Sequence, residues 1–577
     1  MSRLHNNALH YTAIIVLSAV NLVFMHYYIG QYAEVPFDGT SYIDNLTGIT
    51  FDITVLCGFL VFLFNHKFKQ CLLAVFIITL IWAFSNILYC RFFFQYVSLS
   101  SIGQSKNLFD SLMIKCIIEG LQWKDMLLGL SLIMALWIYH YTQPVRLKKT
   151  TVLKFTTFIL LLACSISIIG TIIYSFTNPN MRSIGYVKHH LYSHHLHLYR
   201  NTANPNWTHF QRGSLRTLFL PPISNLFTSK ELTLEQQSII REKMSNQSSK
   251  VSSHTIPEIE NVIFIIIESY LSLTSDLYID GKEITPNLNR LKHTKNVYYN
   301  GNLKSNITIG ESGDGQFICM TGMLPLRSEI TVGLAKNISL PGLPQILASK
   351  YKLTTRMLIP TKSSMWEQEQ MCRQYGIRKL YSCIDFNNNN EDLNDKQIFE
   401  SLITLDKKSP RPFFSLVLTM SMHQPYTEIV DPSFTISNPK LSQKYLNYLN
   451  ACHYTDHQIG CYLKFLKDSG LYDRSLIIIT SDHHPNNNSL EMNNLSENIP
   501  LYIVNGNINN NSWKGTCNQL DVYTTILDLL ISDNMEWRGL GNTLLSPSYK
   551  NSLTTEAWDI SEWILKSDFF GSNTLSQ

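Results

Sequence analysis

Asn261-Val-Ile-Phe-Ile-Ile-Ile-Glu268 is an unbroken β-branched and aromatic run that stops abruptly on a carboxylate. A run with no polar alternation suits a strand covered on both faces, as in a parallel sheet. Glu268 then stands at the carboxyl end of that strand, the edge where open α/β sheets bind ligands. Much later, Ser475-Leu-Ile-Ile-Ile-Thr-Ser-Asp482-His483-His484 repeats the pattern and delivers an Asp and a His to a strand end. Two strands of one sheet therefore bring Glu268, Asp482 and His483 to a common edge. Hard oxygen ligands plus one imidazole suit a single divalent ion, Mn2+ or Zn2+.

Working outward, 577 residues exceed one ordinary domain. Hydrophobic residues make up 45 % of the chain, and nearly all the long apolar runs lie before residue 176. The net charge of +4 comes with no dense Lys/Arg run, so no nucleic-acid partner is expected. None of the eleven cysteines forms a CxxC pair, which argues against a Cys-type zinc site. Cys372 and Cys383 are the nearest candidates for a disulfide in an oxidising compartment; free, buried thiols are the alternative.

The apolar runs at 11–29, 49–64, 71–93, 126–141 and 152–176 are each near the ~20 residues that cross a bilayer. Five membrane spans are expected, although the second is short and carries Asp52. The N-terminal run lacks a small-residue cleavage site and reads as a span rather than a signal peptide. The loops 65–70 and 143–150 are basic, whereas 30–48 carries Glu34, Asp38 and Asp44 with no Lys or Arg. The positive-inside rule puts the basic loops in the cytoplasm and everything after residue 176 outside it.

Three parts follow: a transmembrane domain at 1–176, a connector at 177–255, and a catalytic domain at 256–577. Within the connector, five histidines fall at 189–197, interleaved with Leu and Tyr. The segment reads as an interfacial helix on the headgroups in preference to a metal site. Residues 233–247 are expected to form a solvent-exposed helix, with Thr233 and Gln236 at capping-box spacing. Beyond 256, candidate strands at 354–360, 412–420, 475–482 and 500–504 alternate with segments long enough for crossover helices, predicting a mainly parallel α/β sheet.

Gly310-Glu-Ser312-Gly-Asp-Gly-Gln-Phe317 is a polar turn that runs into an apolar segment. A Ser at such a loop-to-helix junction gains an exposed hydroxyl with backbone N–H groups nearby. Beside a cation, that hydroxyl is a competent nucleophile toward phosphorus.

Taken in order, the Asn261–Glu268 run, Gly-Glu-Ser312-Gly-Asp-Gly-Gln-Phe, Met-His423-Gln-Pro-Tyr, Ser-Asp482-His483 and Gln519-Leu-Asp-Val-Tyr-Thr-Thr resemble the landmarks of the lipoteichoic-acid-synthase-like phosphotransferases. These belong to the alkaline phosphatase/sulfatase superfamily. The resemblance implies that Glu268, Asp482, His483 and the Ser312 hydroxyl hold one divalent ion. It further implies that Ser312 attacks a phospholipid headgroup phosphorus, leaving a phospho-enzyme that a glycan or lipid acceptor resolves. It gives His423 the role of contacting the phosphate or protonating a leaving oxygen, and places Trp366 and Gln368 against the headgroup. A bacterial cell membrane and an extracytoplasmic catalytic domain are implied with it.

The chain departs from the family in having Ser rather than the common Thr as nucleophile. It also has Gln368 where the glycerol-phosphate polymerases have a basic residue, which leaves the headgroup open between phosphoglycerol and phosphoethanolamine. His484 is a further imidazole beside the site, on a chain leaving the strand. A hydrolase of the same superfamily and a non-catalytic glycan-binding protein are the rival readings. The absence of Pro and Arg after Ser312 argues against sulfatase-type formylglycine chemistry.

Overall fold

The computed structural model describes residues 2–32, 39–63, 67–93, 95–99, 102, 111–144, 149–177, 206, 209–210, 213–215, 217–218, 231–248 and 258–574, apart from 328, 387–391, 487–488, 493 and 510. The histidine-rich stretch 189–197 lies outside these residues. The chain divides into two units, Met1–Ile102 with Lys115–Ser229 and Gly103–Ile114 with Lys230–Gln577.

The first unit is helical: α1 Ser2–Tyr32, α2 Gly39–Leu63, α3 Phe68–Phe93, α4 Met126–Tyr141 and α5 Lys149–Thr177. All five expected apolar runs fall on these helices. Length and composition single out three of them as able to cross a membrane, Ala8–Gln31, Asn45–Leu63 and Phe68–Phe93. The expected count of five spans is not established by that criterion.

Polar groups inside an apolar helical unit must find partners. The Ser131 hydroxyl donates to Asn21 Oδ1 at 2.9 Å, and Arg91 forms a two-pronged pair with Asp125 at 2.6 and 2.8 Å. Asp52, the charge in the second apolar run, is buried and accepts from the Leu215 N–H at 3.0 Å. Gly213 has φ +89 and comes so close that a Cβ there would lie 2.6 Å from Asp52 Oδ2. Asn45 and Trp82 hold the same stretch, donating to the Phe210 carbonyl and to Ser214 Oγ, each at 2.7 Å. The carboxylate in the second apolar helix thus pins a downstream segment of its own unit.

The second unit is built on an eight-stranded sheet of β1 Asn261–Ile267, β2 Val297–Lys304, β3 Thr354–Leu358, β4 Lys379–Tyr381, β5 Phe413–Leu418, β6 Ser475–Ser481, β7 Asn498–Val504 and β8 Cys517–Asn518. Across the sheet the order is β8-β2-β7-β6-β1-β5-β3-β4. Only β7 runs antiparallel to its neighbours, β6 and β2. The five expected strands are all present. Strand β2 went unforeseen because Val297-Tyr-Tyr-Asn-Gly-Asn-Leu-Lys304 is neither a continuous apolar run nor a strict alternation, while β4 and β8 are only three and two residues long.

Strand β1 is central and buried at every position. Val262, Phe264 and Ile266 enter one core with Phe317 of α7 (Glu311–Thr321), while Ile263, Ile265 and Ile267 enter another with Tyr448 and Leu449 of α9 (Gln443–Asp468). The remaining helices that matter to the site are α8 (Asp395–Lys408), α10 (Asp521–Leu530) and α11 (Thr555–Ser567).

Two expectations need correction. Helix α6 (Leu234–Ser248) has the expected Thr233/Gln236 capping box, but it is not free in solvent. Ile240 is fully buried in the core beside α11, with Ile239 and Met244 packed against it, because one apolar stripe is enough to dock a short helix. Cys372 and Cys383 are both free thiols. They belong to the cores on opposite faces of the sheet, so the sheet itself separates them.

Replacing Asp52 with Leu leaves the Leu215 N–H without its acceptor and should cost about 1–3 kcal/mol. The expected outcome is a lower melting temperature of the full-length chain in detergent and faster proteolysis between 206 and 218, with Asp52→Asn close to the unaltered protein.

Candidate active site

Register builds the site. In the parallel pairing of β1 with β6, Ile267 lies opposite Ser481, so the next residues, Glu268 and Asp482, leave the sheet side by side. The Asp482 N–H donates to the Ile267 carbonyl at 3.3 Å. The chain then turns sharply at Ser269, where φ is +49, and the Ser269 N–H donates to Asp482 Oδ1 at 2.9 Å. The His483 N–H donates to the same oxygen at 2.7 Å. With Oδ1 so occupied, Oδ2 is the oxygen left to face the site. Similarly, the Ser269 hydroxyl donates to Glu268 Oε1 at 2.7 Å, and the Glu268 N–H donates to Thr419 Oγ1 at 3.0 Å.

Helix α7 brings Ser312. Asp314 accepts from the Thr308 and Gly310 N–H groups at 3.0 and 2.9 Å, fixing the loop that enters the helix. Gly315 lets the helix close on the end of β6: a Cβ there would lie 2.2 Å from the Asp482 carbonyl oxygen. Ser312 Oγ consequently stands 3.2 Å from both Glu268 Oε2 and His483 Nε2. His483 Nδ1 lies 2.9 Å from the His484 carbonyl, which fixes the ring with Nε2 toward Ser312.

Glu268, Asp482 and His483 are buried, and one ligand atom from each falls within 4.8 Å of the other two. Two carboxylates and an imidazole, each oriented by a hydrogen bond from outside the cluster, are a fitting donor set for one divalent ion. Such an ion would supply Lewis acidity at the Ser312 oxygen and at a bound phosphate.

Electrostatics show the strain of packing these groups together. Burial, and then the charge of Glu268, push Asp482 up to about 7 against the pull of His483. Burial alone would lower His483, yet Asp482, Glu268 and Glu311 outweigh it and raise the imidazole to about 9. Glu311, with a carboxylate oxygen 3.8 Å from His483 Nδ1, is pushed up to about 7 by burial and by Asp314, Glu268 and Asp482.

The other expected residues fare differently. His423 follows β5 and is electrostatically coupled to His483 and Asp482. Its Nδ1 lies 2.7 Å from the Gln424 carbonyl, and burial holds its pKa below the usual imidazole range. The loop that carries it is tied to the start of α8, where the buried Asp395 accepts from the Met420 and Ser421 N–H groups at 2.7 and 2.9 Å. Trp366, at φ +49, lies against Gly313 beside the nucleophile, its Cε3 3.2 Å from where a Cβ would stand.

Gln368 is buried in a reciprocal amide pair with Gln316 at 2.8 and 3.1 Å. His484 Nε2 lies 4.0 Å from a Glu497 carboxylate oxygen. Reading the sequence missed Glu311 and Ser269, although each is adjacent to a residue it singled out.

An α/β sheet with a serine hydroxyl over a carboxylate–carboxylate–imidazole cluster at its carboxyl edge is the centre of an alkaline phosphatase/sulfatase-type domain. Residues 260–532 match the family model described as Sulfatase, and residues 1–194 match the Lipoteichoic acid synthase N-terminal domain. The chain thus carries, in order, the two domains of the lipoteichoic-acid-synthase-like phosphotransferases of that superfamily.

Among curated proteins it is 22 % identical to Lipoteichoic acid synthase of Staphylococcus saprophyticus over 576 residues, covering 96 % of this chain and 86 % of that one. It is 28 % identical to Lipoteichoic acid synthase 2 of Bacillus subtilis over 313 residues, half of this chain and 48 % of that protein, so the match spans about half of that relative's length. Among solved structures, the integral membrane lipooligosaccharide phosphoethanolamine transferase A of Neisseria meningitidis shares the fold, with a TM-score of 0.54 and 14 % identity over 90 % of this chain and 95 % of that one.

Cation binding requires His483 and Asp482 in their deprotonated forms. Below about 9 the imidazole holds a proton, and below about 7 the Asp482 carboxyl does too, so affinity should rise with pH. The expected slope is about tenfold per pH unit for each proton released. Calorimetric titration with Mn2+ at pH 6, 7 and 8, in buffers of different ionisation enthalpy, measures both the affinity and the released protons. Gly315→Ala should also weaken the site: the new methyl forces α7 away from Asp482, and Mn2+ affinity falls with little loss of secondary structure by circular dichroism.

Proposed function

We propose that this protein is a metal-dependent membrane transferase that moves a phosphoglycerol or phosphoethanolamine group from a phospholipid donor to a cell-envelope glycan or lipid acceptor through a phospho-Ser312 intermediate. The observation that carries the reading is the Ser312 hydroxyl, half-exposed and 3.2 Å from both Glu268 and His483 beside Asp482. A binding module has no need of a nucleophile set among metal ligands. Its relatives, lipoteichoic acid synthases and a phosphoethanolamine transferase, favour the same class of reaction.

In the first half-reaction a bond forms between Ser312 Oγ and the headgroup phosphorus, and the bond from phosphorus to the diacylglycerol oxygen breaks. The net proton movement is from Ser312 to that leaving oxygen. In the second half an acceptor hydroxyl attacks the phosphoserine and its proton returns to Ser312 Oγ. His423 is suited to carry these protons: with its pKa lowered and Nδ1 turned to the Gln424 carbonyl, neutral imidazole leaves Nε2 free to accept. A divalent ion, Mn2+ or Zn2+, held by Glu268, Asp482, His483 and Ser312 Oγ would lower the hydroxyl's pKa and offset charge on the transferring group. Trp366 beside Gly313 offers an apolar wall against which a headgroup can be oriented.

The apolar helices within 1–176 keep the enzyme in the membrane that supplies its donor, and the basic loops 65–70 and 143–150 favour an extracytoplasmic catalytic domain at 256–577.

Intact-mass analysis of the full-length chain incubated with mixed phospholipids and Mn2+ or Zn2+ tests the proposal. An adduct of phosphoglycerol or phosphoethanolamine mass is expected on the unaltered chain and not on Ser312→Ala, whose diacylglycerol release should fall at least about 1000-fold. No adduct and no diacylglycerol with either metal would sink the mechanism.

A further inference from the structure

We infer that Gln519 is a positioning residue that locks the metal-binding end of β6 to the segment carrying the nucleophile; the inference rests on the metal reading above. Strand pairing between β6 and β7 ends at Thr480 with Leu501, which leaves the Ser481 and Asp482 carbonyls beyond the ladder. Buried carbonyls need donors. Gln519, itself fully buried, supplies both: its Nε2 donates to the Asp482 carbonyl at 2.6 Å and to the Ser481 carbonyl at 3.2 Å.

The other end of the same amide faces the opposite half of the site. Gln519 Oε1 accepts from the Asn306 N–H at 3.3 Å. Two further bonds fasten the same junction, the Gln519 N–H to the Lys304 carbonyl at 2.9 Å and the Leu520 N–H to Asn306 Oδ1 at 3.1 Å. Asn306 opens the short segment that follows β2 and runs into Ser312 on α7. One planar amide therefore spans the two loops whose separation sets the distance from Ser312 Oγ to His483 Nε2.

The Asp482 carbonyl that Gln519 holds is also the atom against which Gly315 packs. Losing the donor frees the peptide that orients both Asp482 and His483 and gives α7 an unfixed surface to close on. An amide in an apolar core is costly unless its bonds are directed, and here every one of them runs to a site loop.

Residues that orient metal ligands typically change metal affinity by roughly 10- to 100-fold when removed. Mn2+ affinity of the full-length chain in detergent would be measured by calorimetry for the unaltered protein, Gln519→Leu, Gln519→Met and Asn505→Gly. Asn505 is the matched control, because its Nδ2 secures the other end of β6 through the Tyr472 and Ser475 carbonyls at 2.7 and 3.0 Å. The expected result is an affinity loss of about 10- to 100-fold in both Gln519 variants, with Asn505→Gly less heat-stable but unchanged in affinity.

Gln519 variants that bind Mn2+ as the unaltered chain does would overturn the inference alone. An unaltered chain that binds neither Mn2+ nor Zn2+ would overturn the metal reading and the inference together. Hydrogen exchange on the unaltered protein decides the matter if the variants do not fold. Mn2+ should slow exchange at 304–306 and 517–520 as well as at the ligand loops, and protection confined to 268–270, 312 and 481–484 would defeat the bridge.

Discussion

The pairing of Ile267 with Ser481 is the constraint on which the rest of the site depends. Because β1 and β6 are parallel, equal positions on both strands reach the same edge, and the residue after each is a carboxylate. A shift of one residue would move Asp482 off the site and turn the apolar side chains of β6 to the wrong core. The shift is resisted by packing on both faces, where alternate residues of β1 fill two separate cores. Hydrophobic burial away from the reacting atoms thus sets the spacing of the charges that do the chemistry.

That spacing has a cost. Among the described residues, Glu268, Asp482 and Glu311 converge on His483 as their shared cationic partner, and burial denies them water. Within the protein the cost is met partly by hydrogen bonds from backbone N–H groups to Asp482 and from the Ser269 hydroxyl to Glu268, and partly by protons retained on Asp482 and His483. A divalent ion would replace those protons, which is why an arrangement so poor in cations is consistent with a metal-dependent enzyme. The left-handed backbone at Ser269, Glu311 and Trp366 belongs to the same pattern, since strained non-glycine residues persist where surrounding structure holds them to a task.

Much of the fold was legible because its strands are buried on both faces and so appear as continuous apolar runs. Strand β2 neither runs apolar throughout nor alternates strictly, and β4 and β8 are too short to leave a pattern, so periodicity could not reveal them. Helix α6 looked polar because only Ile239, Ile240 and Met244 of its fifteen residues dock, and its contacts come from far along the chain. Gln368 was placed by its motif, and its pairing with Gln316 depends on two helices meeting, which no local pattern records. The sequence left Cys372 and Cys383 open between a disulfide and free thiols for a like reason: sequence distance says nothing of which face of a sheet a cysteine joins.

By itself the sequence determined where Glu268, Ser312, Asp482 and His483 fall, for each sits where an apolar strand or a glycine-rich turn must end. It also determined that the N-terminal third is apolar and helical, since such runs have few other ways to satisfy their backbone in a membrane. Tertiary structure alone decided their geometry: the register that sets Glu268 beside Asp482, the close approach at Gly315, and the Gln519 amide between two loops. These depend on which side chains pack on each face of the sheet and on contacts between residues hundreds of positions apart, and neither is written in local pattern.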